Sequence, residues 1–462
     1  MCGIAGIIGS RNIVQEQTLK TLAQLLFHRG PDDEGIQILS VENTNDSIGL
    51  VHRRLAIIDL SPLGHQPMQD TDTGNWIVFN GEIYNYREIK TELENTGYTF
   101  RSQSDTEVIL KAYIAYGMQC LELLRGMFAF ALWDARARKL FLAIDRFGIK
   151  PLYVYHKDSV FAFSSEIKSL LKSGVVPRII EPQAAHSFLL FGAVQTPLTM
   201  IKNIQAILPG QYLVYDLVTQ NLQEHIYWQP HTTSHQNIST KELLEDTVRH
   251  HLVSDVPIGL FLSGGVDSSA LAILAHRALG KTLDSFSVVF AEQDYSEAKY
   301  SRIIGEKFCK NHHEIPLRVE ECEEILPDAL SAMDQPTIDG INAYVISKVV
   351  RDAGIKVVLS GQGADEIFGG YPTFKRISKM LRWWHLVRFM PQWKRKMLAQ
   401  IIGQKSTARS KLAQYLLSDG DIHSFYAIAR QLFSPHSIQK ILRSDLSSPR
   451  MRGEDRSERK IF

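Results

Sequence analysis

Met1-Cys2-Gly3-Ile4-Ala5-Gly6-Ile7-Ile8 opens the chain, and everything after it is read in the light of that second residue. A cysteine there can be an incidental small residue at the start of a strand. Here the small residues that follow permit removal of Met1 and close backbone approach, and the isoleucines suggest a buried strand that anchors the terminus. Once exposed, an N-terminal cysteine carries its own base, because an α-amino group titrates near pH ~7.7–8.0. One residue then supplies both nucleophile and proton acceptor.

Working outward, residues 1–230 read as β-rich. The runs Ile4–Ile8, Trp76–Phe79, Met127–Trp133, Leu140–Ile144 and Leu152–Tyr155 are bounded by Gly, Asp and Asn, as strands are. Helical patterns at Val14–Phe27 and Thr106–Tyr116 would pack over the sheets, giving a layered α+β domain. The polar stretch His231–Thr240 reads as linker. After it helix (Lys241–Leu252), strand (Val256–Leu262), helix (Ser268–Leu279), strand (Leu283–Val289), helix (Ser296–Phe308) and strand (Lys356–Leu359) alternate. That alternation predicts an α/β region with a parallel sheet and a ligand at the carboxyl ends of its strands. From Tyr371 onward the pattern is helical.

A chain of 462 residues exceeds what one core fills, so two domains are expected. With 44% hydrophobic and 22% charged residues the composition is that of a globular protein, which excludes a disordered or fibrous one. No basic leader with an apolar core opens the chain and no run of about 18 apolar residues occurs, which predicts a cytoplasmic protein outside membranes. Cys2, Cys120, Cys309 and Cys322 lack zinc-type spacing and read as reduced thiols. Residues 371–462 hold 19 Lys and Arg against 6 Asp and Glu, while residues 1–370 hold 32 against 44. The basic region has no RNA-module signature, so an acidic partner surface or a substrate phosphate is expected there rather than nucleic acid.

Attack on a side-chain amide also needs an oxyanion hole and a means of holding an amino acid. Asn80-Gly81-Glu82, placed after the strand Trp76–Phe79, offers an amide and a Gly N–H as donors. Arg54 is suited to an α-carboxylate and Asp105 to an α-ammonium. Singly these three sites could be a turn amide, a surface cation and a helix N-cap. Together with Met1–Gly6, the segments His28–Asp32, Arg54–Asp59, Phe79–Asn85, Asp105–Glu107, Gly126–Ala131 and Asp145–Gly148 resemble the class II, N-terminal-nucleophile glutamine amidotransferase domain over about residues 1–215. The resemblance implies a four-layer αββα sandwich. It implies Cys2, Asn80 and Gly81 as catalytic, and Arg54, Leu55, Ala56, Ile57, Ile58, Asn80, Gly81, Glu82 and Asp105 as glutamine-binding. Cys2 would attack the carboxamide and release ammonia through a thioester.

Ser263-Gly264-Gly265-Val266-Asp267-Ser268-Ser269 lies between an apolar strand and a helix. Its glycines, hydroxyls and N–H groups at a helix N-terminus make an anion site. It is not a GxxxxGK[ST] loop. It is similar to the loop of ATP pyrophosphatase-type synthetases, and Ser360–Glu366 with Phe368–Tyr371 resembles the second signature of the asparagine synthetase family. That likeness implies an ATP site at Leu262, Ser263, Gly264, Gly265, Asp267, Ser268, Val288, Ser360 and Gly361, with Mg²⁺ held by Asp267 and Asp365. Gln362 stands where the family has a glutamate assigned to acyl-adenylate formation, and a neutral amide cannot act as a carboxylate base.

The expected organisation is a glutamine amidotransferase domain over 2–215, a linker over 216–240 and a synthetase-like ATP-binding domain over 241–462 with a helical C-terminal part. No Arg-Val-Pro-Phe-Leu-Asp segment or later lysine follows, so a synthetase domain shortened at its C-terminus is expected. The implied function is aspartate adenylation and amidation with ammonia from glutamine, giving asparagine, AMP, pyrophosphate and glutamate, in a possible homodimer. Two alternatives stand beside it: a different carboxylate acceptor, or a degenerate relative retaining only glutaminase or nucleotide binding.

Overall fold

The structure, a computed structural model, describes residues 1–41, 44–230, 238–290, 298–403 and 406–442. Residues 231–237 of the expected linker and the polar tail after residue 442 lie outside these. The chain forms two compact units. The first comprises Met1–Ile179, Ile201–Asp334 and Asn342–Ser360; the second comprises Ile180–Met200, Gln335–Ile341 and Gly361–Phe462.

In chain order the strands of the first 230 residues are β1 (Gly3–Ser10), β2 (Asp33–Ser40), β3 (Asp46–Arg54), β4 (Met68–Gln69), β5 (Trp76–Ile83), β6 (Gly126–Asp134), β7 (Lys139–Ile144), β8 (Tyr153–Lys157), β9 (Val160–Ser164), β10 (Ile204–Ala206), β11 (Gln211–Asp216) and β12 (Asn221–Ile226). They make two six-stranded antiparallel sheets, ordered β10-β8-β9-β1-β3-β2 and β12-β11-β7-β6-β5-β4. β12, within the stretch expected as linker, pairs with β11.

Side-chain alternation sorts each strand between two cores. Ile4 and Ile8 of β1 join Ile48, Leu50, Val78, Ala129, Ala131 and Trp133 in the layer between the sheets. Ala5 and Ile7 face outward, onto Leu19, Leu22 and Ala23 of the helix Glu16–Leu25. On the far side Ile77, Phe79, Ile83 and Phe130 pack under the helices Tyr86–Asn95 and Asp105–Tyr116. The result is helix, sheet, sheet, helix: the four-layer sandwich that the resemblance implied.

A parallel sheet follows, ordered β15-β14-β13-β16, from β13 (Ile258–Phe261), β14 (Asp284–Phe290), β15 (His312–Leu317) and β16 (Val357–Leu359). The helix Thr240–His251 before it carries a full capping box from Ser239 and Glu242. Its Val248 packs with Ala275 of the helix Val266–Leu279 against Ile258. In the second unit helices Pro372–Val387, Gln392–Ile402, Thr407–Leu417 and Ile422–Arg430 follow one another. Trp384, Tyr415 and Phe425 meet in tilted and edge-on ring contacts at its core.

Candidate active site

Cys2 shares the alternation of Ile4 and Ile8, and Asn80 and Glu82 share that of Val78, so all three are directed to the layer between the sheets. They meet at a pocket lined also by Arg54, Leu55, Ile57, Ile58, Gly81 and Asp105. Eight of the nine residues expected to bind glutamine therefore line one cavity with Cys2. The ninth, Ala56, instead donates its N–H to the Asp32 carboxylate at 2.9 Å.

The terminus is fixed by its backbone. Ile4 N–H donates to Ser165 Oγ at 3.0 Å, and Arg29 Nε donates to the Cys2 carbonyl at 2.9 Å. Arg29 Nη1 and His28 Nε2 lie 3.0 and 2.8 Å from Glu166 Oε1. Burial alone would raise the Glu166 carboxyl, but His28 and Arg29 hold it below its ordinary value. Leu55 N–H donates to Cys2 Sγ at 3.4 Å. Burial pushes the Cys2 thiol up, opposed by the neighbouring N-terminal charge and the Leu55 amide. With Met1 in place the α-amino group is pulled down to about 6, chiefly by burial.

Asn80 is fully buried, and neither its Nδ2 nor its Oδ1 has a hydrogen-bond partner. Leaving such an amide unpaired costs about 1–3 kcal/mol, which marks a position kept for something other than stability. The expectation that Asn80–Glu82 comes after the strand Trp76–Phe79 is corrected: β5 runs on to Ile83, with Gly81 opposite Phe128. A side chain at 81 has no room, since a Cβ would lie 2.2 Å from the Met127 carbonyl.

This placement frees a donor. Phe128 spends both its N–H and its carbonyl on Asp145, on the β7 side, so Gly81 opposite it sits at a non-hydrogen-bonded position of the β5–β6 ladder and its N–H points away from β6. The flanking residues share that orientation: Phe79 N–H donates to Gln66 Oε1 at 2.7 Å and Ile83 N–H to Asp105 Oδ2 at 3.0 Å. Between them, the Gly81 amide faces the pocket beside the Asn80 side chain.

Asp105 is the first residue of its helix, and the cap is Ser104, whose hydroxyl accepts from Thr106 N–H at 3.2 Å. The Asp105 carboxyl is pushed up to about 7 by burial, the Ile83 amide opposing and Glu82 adding to the rise. Arg54 donates from Nη1 to Ser61 O at 3.1 Å and from Nη2 to Ile58 O at 3.4 Å and to Asp59 O, bracing the loop that walls the pocket.

Gln66, Phe79, Ser104, Thr106 and Lys150 also line the cavity and were not anticipated. Lys150 is buried, and burial lowers its ammonium while raising the nearby Glu82 carboxyl. It reaches the site because Asp145 gathers four amides: Phe147 and Ile149 at 3.0 Å on Oδ1, Phe128 and Lys150 at 3.1 Å on Oδ2. The Asp-Arg-Phe-Gly-Ile-Lys run was the available signal.

In the parallel sheet, Leu262 is buried and extends β13 by donating to Phe286 O at 2.9 Å. The turn after it needs glycine, as Gly264 has φ +90°. Ser268 Oγ lies 3.0 Å from Ser263 Oγ and receives Ser263 N–H at 3.2 Å, and Gly265 N–H donates to Ser263 Oγ at 3.2 Å. Gly265 caps the helix Val266–Leu279, whose first turn contains Asp267. Val288 is in β14 and Ser360 follows β16. Gly361, Gln362 and Asp365 belong to the second unit, where Asp365 lies in the short helix Ala364–Phe368.

Comparison with known proteins agrees with both halves. Residues 1–228 match a family described as the glutamine amidotransferase domain, and residues 239–452 match the asparagine synthase family. A Methanocaldococcus jannaschii protein provisionally named glutamine-hydrolysing asparagine synthetase 2 is 35% identical over 437 residues, covering 89% of this chain and 82% of its own. Glutamine-hydrolysing asparagine synthetases 1 and 3 of Bacillus subtilis are 35% and 34% identical over 81% of this chain, which spans 60% and 64% of their lengths. Among the described residues no helix is long and apolar enough to cross a membrane. The chain belongs to the family of glutamine-hydrolysing asparagine synthetases, with a glutamine amidotransferase region followed by an asparagine synthase region.

Proposed function

We propose that the chain hydrolyses glutamine at Cys2 and uses the ammonia to amidate aspartate activated by ATP, giving asparagine, AMP, pyrophosphate and glutamate. The single observation that carries the first half is the buried, unpartnered Asn80 amide beside the pocket-facing Gly81 N–H and Cys2. After Met1 is removed, the α-amino group belongs to Cys2 and takes the thiol proton as Sγ attacks the carboxamide carbon. Asn80 Nδ2 and Gly81 N–H donate to the oxyanion. The leaving ammonia takes the proton back, and water hydrolyses the thioester. Asp105 pairs with the substrate α-ammonium, and Arg54, which lines the same pocket, is retained as the α-carboxylate partner.

For the second half, the Ser263–Ser268 turn supplies backbone donors to pyrophosphate at a helix N-terminus. Asp267 and Asp365 offer hard oxygen ligands. Each is an oxygen ligand of the kind Mg²⁺ takes beside nucleotide phosphates. Bound there, the ion would neutralise phosphate charge. Gln362, in place of the family's glutamate, favours a second reading in which glutaminase persists without synthesis.

Incubation of the chain with glutamine, aspartate, ATP and Mg²⁺, followed by mass spectrometry, tests both. Asparagine with AMP is the expected product, and Cys2→Ala should remove glutamine-driven but not ammonia-driven synthesis, lowering glutamate release by roughly 10⁴-fold or more. Glutamate without asparagine would leave the second reading.

A further inference from the structure

The loop Leu55–Ser61 forms one wall of the Cys2 pocket through Leu55, Ile57 and Ile58, and its first amide touches Cys2 Sγ. It is gripped from the parallel sheet at two points. Asp255 donates its N–H to Ile57 O at 3.0 Å, and its Oδ2 accepts from Asp59 N–H at 2.8 Å. Lys356 Nζ donates to Asp32 Oδ2 at 2.8 Å, the oxygen that also receives Ala56 N–H. Asp255 lies just before β13 and Lys356 just before β16, and these strands are parallel neighbours with Ile258 opposite Val357.

We infer that Asp255 and Lys356 are positioning residues for glutamine hydrolysis, holding the wall of the Cys2 pocket from the N-terminal ends of β13 and β16. The inference rests on the glutaminase reading above. The two strands are short, about 10 Å each at ~3.3 Å per residue. Their C-terminal ends lead straight into Ser263–Ser268 and Ser360, the expected nucleotide segments. One pair of strands thus carries the nucleotide signatures at one end and the glutamine loop at the other. The Asp32 carboxyl, which burial would raise, is held below its usual range by Lys356 and the Ala56 amide, so the ionic end of this grip stays charged.

The test is glutamate release by the full chain as a function of glutamine concentration. Asp255→Ala, which removes only the carboxylate and keeps the backbone bond to Ile57, should raise KM about tenfold with kcat within about twofold of wild type, because a small displacement of a positioning wall weakens substrate placement. Asp255→Asn keeps an oxygen that can accept the Asp59 N–H and should recover KM to within about twofold. Lys356→Met, losing a half-exposed pair, should raise KM about threefold. Asp246→Ala removes the exposed Arg125–Asp246 ion pair, at 2.8 Å, without touching the loop, and should leave KM unchanged. If Asp255→Ala does not fold, Lys356→Met decides. Wild-type kinetics in the alanine and methionine variants, an equal defect in Asp246→Ala, or no recovery in Asp255→Asn overturns the inference. No glutamate release by the wild-type chain would instead sink the glutaminase reading itself.

Discussion

In the proposed glutamine site the chemistry would be carried by side chains sunk between two sheets, whereas in the proposed nucleotide site at Ser263–Ser268 it would be carried by backbone on an open turn. Asn80 and Asp105 are buried and reach their places only because β5, β6 and the helix Asp105–Tyr116 pack together. Val266, the first helical residue after the turn, is 85% exposed, and the turn's own hydroxyls hold its shape. The first site is a property of a whole domain; the second is nearly a property of seven residues. It follows that a defect in one should leave the other standing.

The sharpest way to break this contrast is Asn80→Ala. Removing one oxyanion donor should lower kcat for glutamine hydrolysis roughly 10²–10³-fold while ammonia-driven synthesis continues, measured by glutamate and asparagine release in parallel. The mirror experiment is Asp267→Asn. It should lower aspartate-dependent pyrophosphate release about 100-fold, from the loss of a few kcal/mol of phosphate charge stabilisation, with glutaminase unchanged.

The smallest effect is one of pH and belongs to the buried site alone. With Asp105 raised to about 7, its carboxyl becomes neutral as the pH falls through that value and loses its attraction for an α-ammonium. KM for glutamine should then rise by up to about tenfold per pH unit below 7, and Asp105→Asn should show a high KM without that slope. KM for ATP should stay flat over the same range.

The same contrast explains what was legible. Alternating and apolar runs located β1, β5, β6 and β7, and the helix expected over Val14–Phe27 is found at Glu16–Leu25. The Gly-rich turn between strand and helix was readable because its geometry is local. β15 was missed, since His312-His313-Glu314-Ile315-Pro316-Leu317 shows no alternation and sits at a sheet edge. Asn80–Glu82 was placed beyond the end of its strand, and only pairing with β6 carries β5 on to Ile83. Gln66, Ser104 and Lys150 enter the pocket from distant segments, and no spacing rule joins them to Cys2. The grip of Asp255 on Asp59 spans 196 positions and was equally out of reach.

The four amides gathered by Asp145 have a practical meaning for anyone wishing to move this pocket to another scaffold. The carboxylate touches no expected substrate atom, yet it turns Lys150 inward and takes the Phe128 N–H, while the Asp145 backbone N–H takes the Phe128 carbonyl on the same side, away from the Gly81 donor. A graft limited to the reacting residues would carry the nucleophile and the amide but lose the open N–H. The smallest transferable piece therefore includes residues 126–150, a hairpin and turn whose role is to keep one hydrogen bond from being made.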